Sequence, residues 1–110
     1  MFRDIVHTKV GSVKFQIRWL RSALDKMRLD IGRYPTSEEG LPLLLTPPQD
    51  EATRQRWHGP YIEALRPPLD DWGHPFHYSP VGRAPNPITL YSDGPPGDPP
   101  GPVIGYPPPH

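Results

Sequence analysis

A chain of 110 residues suits one domain and is short for two. Twelve basic and twelve acidic residues cancel, so neither a nucleic-acid backbone nor a polyanionic membrane surface is an expected partner. With no cysteine, disulfides and thiolate chemistry are excluded and the redox compartment stays open.

No run of about 18 apolar residues occurs, so nothing in the chain reads as a bilayer-spanning helix. No signal peptide is visible, because Met1-Phe2-Arg3-Asp4-Ile5 leads into mixed polar residues. If the protein is membrane-anchored, its anchor is expected upstream of Met1. Proline is the outlier: the 19 prolines are about three times average usage. None precedes Pro35. Proline removes a backbone donor and clashes with the preceding helical turn, so one long helix is predicted at the N-terminus and short elements after it.

Val13, Ile17, Leu20, Leu24, Met27 and Ile31 recur three and four apart, the spacing of one helix face. Lys14, Arg18, Arg21, Asp25 and Arg28 take the opposite side, and Trp19 and Ala23 are expected to widen the apolar stripe. Gly32 is the predicted stop. Starting near Ile5, the helix is about 40 Å long, a rod with one end expected to project or to continue an upstream helix. Thr36-Ser37-Glu38-Glu39 has the form of a capping box and is expected to open a short helix through Leu41, Leu43, Leu44 and Leu45. Pro42 falls beyond the first turn of that helix, which predicts a kink or a later start, and Pro47-Pro48 ends it.

Gln49 to Arg56 is a polar surface loop with room for one helical turn. Trp57 to Trp72 is irregular and aromatic-rich, and Trp57, Tyr61, Trp72 and Phe76 are expected in the core. Phe76-His77-Tyr78-Ser79 and Ile88-Thr89-Leu90-Tyr91-Ser92 read as strands joined by a hairpin loop, Gly82 to Pro87. Two strands alone are marginal in water, so the long helix is expected to lie over them. Asp93 to His110 holds eight prolines and four glycines in eighteen residues. No packed core is expected from it, only polyproline II stretches.

Four motifs carry a family resemblance: Arg33-Tyr34-Pro35-Thr36-Ser37-Glu38-Glu39-Gly40-Leu41, Trp57-His58-Gly59-Pro60-Tyr61-Ile62, Asp71-Trp72-Gly73-His74-Pro75-Phe76, and Leu90-Tyr91-Ser92 followed by Asp93-Gly94. In order and spacing they resemble the major pseudopilin of type II secretion, the G-type subunit. Ile31-Gly32 stands for the family's Asn-Gly, and one proline is missing before Trp72. The resemblance implies a leader removed by a prepilin peptidase, an apolar helix upstream, and helical assembly with globular heads outside. It also implies a calcium-binding C-terminal loop. Calcium wants six to eight oxygens, several of them carboxylate. Here only Asp93 and Asp98 remain nearby, with the Ser92 hydroxyl and backbone carbonyls, because Gly101 to Tyr106 offers no acid. The alternative is that rigid prolines order the loop, with Val103, Ile104 and Tyr106 docking as an apolar anchor.

Other chemistry finds little support. His74 and His77, an odd separation apart, point to opposite faces of a strand, and with His58 they read as solvent or turn histidines. Asp70-Asp71 reads as turn initiation before Trp72-Gly73, since neighbouring acids cannot flank a substrate. Ser22, Ser37, Ser79 and Ser92 lack a nucleophile-elbow context. No phosphate-cradling glycine loop is present.

The sequence therefore predicts an α+β fold in one domain, 1–110. It divides into a spine helix (1–32), a loop region with a short helix (33–75), a β-hairpin (76–92) and a Pro-rich C-terminal loop (93–110). The function implied by the resemblance is a non-enzymatic fibre subunit with a periplasmic head on an inner-membrane anchor. Its partners would be copies of itself, minor pseudopilins and the inner-membrane secretion platform, with no nucleic acid and membrane contact only through a missing N-terminal helix. Metal binding falls on Asp93 and Asp98, with calcium or no cofactor. The rivals are a minor pseudopilin or type IV pilin-like subunit, and a binding module offering Pro107-Pro108-Pro109 to an aromatic groove.

Overall fold

The proline-free front of the chain forms one α-helix, α1, Phe2–Ile31, in a computed structural model that describes residues 2–97 and 101–109, with side chains from residue 8 onward. The six apolar residues of the predicted face are all buried, none more than 5% exposed. Ala23 joins them. Trp19 does not: it is 36% exposed and lies, with Phe15, on the outward side, because the small sheet is too narrow to cover a wider stripe. Gly32 ends the helix at φ 87°, its N–H donating to Arg28 O at 2.8 Å. A positive φ there suits glycine alone.

The capping box forms, yet it caps no helix. Thr36 N–H donates to Glu39 Oε1 at 2.9 Å, and Glu39 N–H donates to Thr36 Oγ1 at 3.1 Å. Gly40 then turns away at φ 58°, and a 3-10 turn, Leu41–Leu44, starts afresh beyond it. This corrects the expected helix start. Pro42 sits in the first turn of the new element, where its missing N–H is harmless. A second helix, α2, spans Glu51–Arg56 with Asp50 as its N-cap.

The sheet has three antiparallel strands in the order β1 (His77–Ser79), β2 (Thr89–Ser92), β3 (Ile104–Tyr106). Tyr78 pairs with Leu90 and Leu90 with Tyr106, so these side chains share the face under α1. His77 and Tyr91 occupy register positions on the outer face. Of the apolar anchor offered for the C-terminal segment, Ile104 is buried, Tyr106 packs against the core and Val103 stays half-exposed, while the strand β3 itself was not expected. Sequence reasoning missed it because a three-residue strand with a central glycine, set among prolines, has almost no strand signature. Gly105 is needed: its φ is 122°, and a Cβ there would strike the Leu90 carbonyl.

The aromatic segment roofs the other end of the helix. Trp57 and Tyr61 meet edge to face at 5.5 Å. Trp57 Nε1–H donates to Leu43 O at 2.8 Å, and Tyr61 N–H donates to Leu44 O at 2.8 Å. Phe76 is buried, whereas Trp57, Tyr61 and Trp72 are partly buried against the core.

Candidate functional site

A buried carboxylate organises the C-terminal end of the sheet. Asp70 is 4% exposed. Its Oδ1 accepts from the N–H groups of Trp72 at 3.0 Å and His74 at 2.9 Å, which fixes the Asp70-Asp71-Trp72-Gly73 turn. Its Oδ2 accepts from the Ser92 hydroxyl at 2.7 Å, and Ser92 Oγ accepts from Gly94 N–H at 3.0 Å. Buried charge is tolerated only when its oxygens are occupied in this way. Gly94, at φ 81°, lets the chain pass so close to Pro102 that a Cβ would run into its carbonyl oxygen. Gly101 N–H then donates to Pro95 O at 3.0 Å and brings the chain back toward β3. The predicted turn at Asp70-Asp71 is present, but its anchorage to Ser92, 22 residues away, was not legible in the sequence.

Of the two acids expected to hold calcium, the structure describes Asp93 alone. Asp93 points outward, its Oδ1 3.0 Å from His77 Nε2 across β1 and β2. The His77 ring stacks on Tyr91 at 4.7 Å. Asp98 lies outside the described residues. Among the described residues no group of three or more His, Cys, Asp or Glu side chains is placed to hold a metal ion. The Ser92 hydroxyl, counted as a donor to calcium, is engaged by Asp70 and Gly94.

At the far end of α1 a polar collar ties the helix to the loops that follow it. Tyr34 O–H donates to Asp25 Oδ1 at 2.6 Å, and Arg21 Nε–H reaches the same carboxylate at 3.2 Å. Arg33 grips Glu39 with two N–H groups, at 2.6 and 3.1 Å. This bidentate pairing holds the Glu39 carboxyl below its ordinary value. Tyr78 O–H donates to Pro35 O at 2.7 Å. Tyr61 O–H donates to Asp30 Oδ2 at 2.7 Å and accepts from His58 N–H at 2.9 Å.

Burial is the main force that pushes the Tyr61 phenol up to about 12, with the Asp30 carboxylate adding to it. Burial likewise raises Tyr78, and burial with the Asp25 hydrogen bond raises Tyr34. Unfolded tyrosine ionises near about 10. Between these values the unfolded chain loses protons that the folded chain keeps, so stability declines as pH rises. We expect Tm to be level as pH approaches 10 and to fall steeply between about 10 and 12. Tyrosinate absorbance should lag behind that of the denatured chain. A Tm that stays flat through this window would refute the collar's protonation state.

The long helix laid over a small antiparallel sheet, with an aromatic roof and a glycine-proline exit from β2, has a counterpart among known proteins. The family model described as type II secretion system (T2SS), protein G, matches residues 1–103. The chain belongs to this protein G family. The core protein G of Pseudomonas aeruginosa is 34% identical over 87 residues, 78% of this chain and 59% of that protein. The core protein G of Vibrio cholerae is 39% identical over 77 residues, 68% of this chain and 51% of that protein. The chain thus spans between half and three-fifths of these protein G relatives. The crystal structure of the major pseudopilin from the type 2 secretion system of enterohaemorrhagic Escherichia coli superposes with a TM-score of 0.70. It is 30% identical, with 86% of this chain and 82% of that chain covered. The α+β pseudopilin fold expected from the protein G motifs is the fold observed. Among the described residues no helix is long and apolar enough to cross a membrane.

Proposed function

We propose that this chain is the head domain of a major pseudopilin and serves as a structural subunit of the type II secretion pseudopilus. The observation that carries the reading is the protein G family match across residues 1–103. In this reading the domain works in the periplasm, on a fibre rooted in the inner membrane. Its partners are further copies of itself, the minor pseudopilins and the inner-membrane secretion platform. It acts by assembly and not by catalysis. Subunits joined through unlike surfaces build an open helical fibre. Asp70 and Ser92, which carry reactive groups, are occupied in holding the turn.

The test is a chimera. This chain replaces the matched 87 residues of the Pseudomonas aeruginosa core protein G in a strain lacking that protein. Restored secretion, with the chimera present in sheared fibres, is the expected result. A folded, normally abundant chimera that yields neither secretion nor fibres would overturn the reading.

We also propose that protein groups, and not calcium, hold the segment after β2. The support is the chain of contacts from Asp70 through Ser92 to Gly94, continued by the Gly101 to Pro95 hydrogen bond. Ligand that binds only the folded state raises stability by mass action. Tm is therefore expected to be the same in millimolar calcium and in excess EGTA, and a rise of several degrees in calcium would sink the proposal.

A further inference from the structure

Asp93-Gly94 is the single Asp-Gly step in the sequence, and Asn-Gly does not occur. Asp-Gly is the aspartyl step most open to internal rearrangement, because glycine has no Cβ to hinder attack by its own nitrogen. In that reaction the Gly94 nitrogen attacks Asp93 Cγ. An N–Cγ bond forms while the N–H proton and the Cγ hydroxyl leave as water, and a succinimide ring results. Water then opens the ring. Addition at Cγ returns aspartate. Addition at the main-chain carbonyl carbon breaks its bond to nitrogen and gives isoaspartate, with Cβ and Cγ now in the main chain. The sequence of steps consumes one water and releases one, and needs no other reactant.

The fold holds the two reacting groups apart. Gly94 is buried, and its N–H points inward, donating to Ser92 Oγ at 3.0 Å. Ser92 is 0% exposed and is itself fixed by Asp70 at 2.7 Å. No water reaches the proton that must leave. The Asp93 carboxylate is turned the other way, with Oδ1 3.0 Å from His77 Nε2 on the outer face of the sheet. The product has no room either. Gly94 passes so close to Pro102 that a single added carbon would strike its carbonyl oxygen, and isoaspartate lengthens the main chain by a carbon at this point. Beyond Pro102 the chain leads directly into β3.

We propose that Asp93-Gly94 is a latent isoaspartate site, that the Ser92 hydroxyl keeps it closed, and that isomerisation there releases β3 from α1. The site belongs to this chain's own chemistry and stands apart from the fibre-subunit reading.

The test follows the purified chain through long storage at neutral pH. Isoaspartate is counted by enzymatic methyl labelling and located by mass spectrometry of the peptides. We expect the folded chain to isomerise at least about tenfold more slowly than the same chain unfolded in urea, because reaction waits on local opening. Ser92→Ala should speed the folded chain about three- to tenfold, the weight of one hydrogen bond. Its rate should stay flat at low urea, since opening one turn exposes little surface. In the separated isomerised chain the β3 amides should lose their protection from hydrogen exchange. A folded rate equal to the unfolded one overturns the proposal. So does a Ser92→Ala rate that is unchanged, or that climbs with urea in step with the unfolded fraction. An isomerised chain whose β3 amides stay protected overturns the release of β3.

Discussion

Asp70→Ala should lower stability by about 3 kcal/mol or more. The substitution leaves the Trp72 and His74 N–H groups and the Ser92 hydroxyl without their acceptor. An orphaned buried donor costs about 1–3 kcal/mol, and bonds to a charged acceptor sit at the upper end. In a domain of this size the loss should appear as a fall in Tm of at least about 10 °C. Asp70→Asn separates geometry from bulk. Its oxygen still accepts the two backbone N–H groups, and its amide can donate to Ser92 Oγ. The Ser92 hydroxyl proton and the second amide N–H are then stranded, so the cost should drop to about 2 kcal/mol. Equal losses for the two variants, by chemical denaturation, would show that the hydrogen bonds are not the source.

The second large effect lies in the core. Leu20 is wholly buried at the middle of the α1 face, so Leu20→Ala removes transfer energy and leaves a cavity, at a cost of about 2–5 kcal/mol. Leu29 stands on the same helix at 81% exposure. Leu29→Ala should change stability by no more than about 0.5 kcal/mol. Helix propensity is the same in both substitutions, so the contrast measures burial alone. Comparable losses at the two positions would mean that the sheet does not lie beneath α1 as described.

The periodic part of the chain announced itself. Residues 13 to 31 repeat an apolar residue every three or four positions, and the absence of proline leaves only one way to satisfy that pattern. β1 and β2 were legible from Tyr78, Ile88 and Leu90 for a related reason, being apolar and aromatic runs bounded by turn residues. What stayed hidden depends on contacts between distant segments. Ile104 and Tyr106 were legible as an apolar anchor but not as a strand, because the prolines on either side drown their strand spacing. Asp70 belongs to a residue type that is almost never fully buried, so nothing local marks it as the anchor of the C-terminal turn. Thr36 and Glu39 show the opposite failure. Their local pattern was right and their hydrogen bonds form, but Gly40 cuts them off from the element they seemed to open. The acids at Asp93 and Asp98 were assigned by likeness, and the exposed Asp93 to His77 pairing could not have been read from spacing.

The position of β3 has a bearing on biogenesis. Gly105 approaches Ile17 closely enough that a Cβ would touch the isoleucine side chain, so a segment translated long after α1 completes the floor beneath it. Joining such distant segments carries a large loop-closure penalty and slows barrier crossing. A nascent chain emerging from a ribosome cannot seal its interior until β3 is free. Until then Ile17 and its neighbours stay open to water and to chaperones.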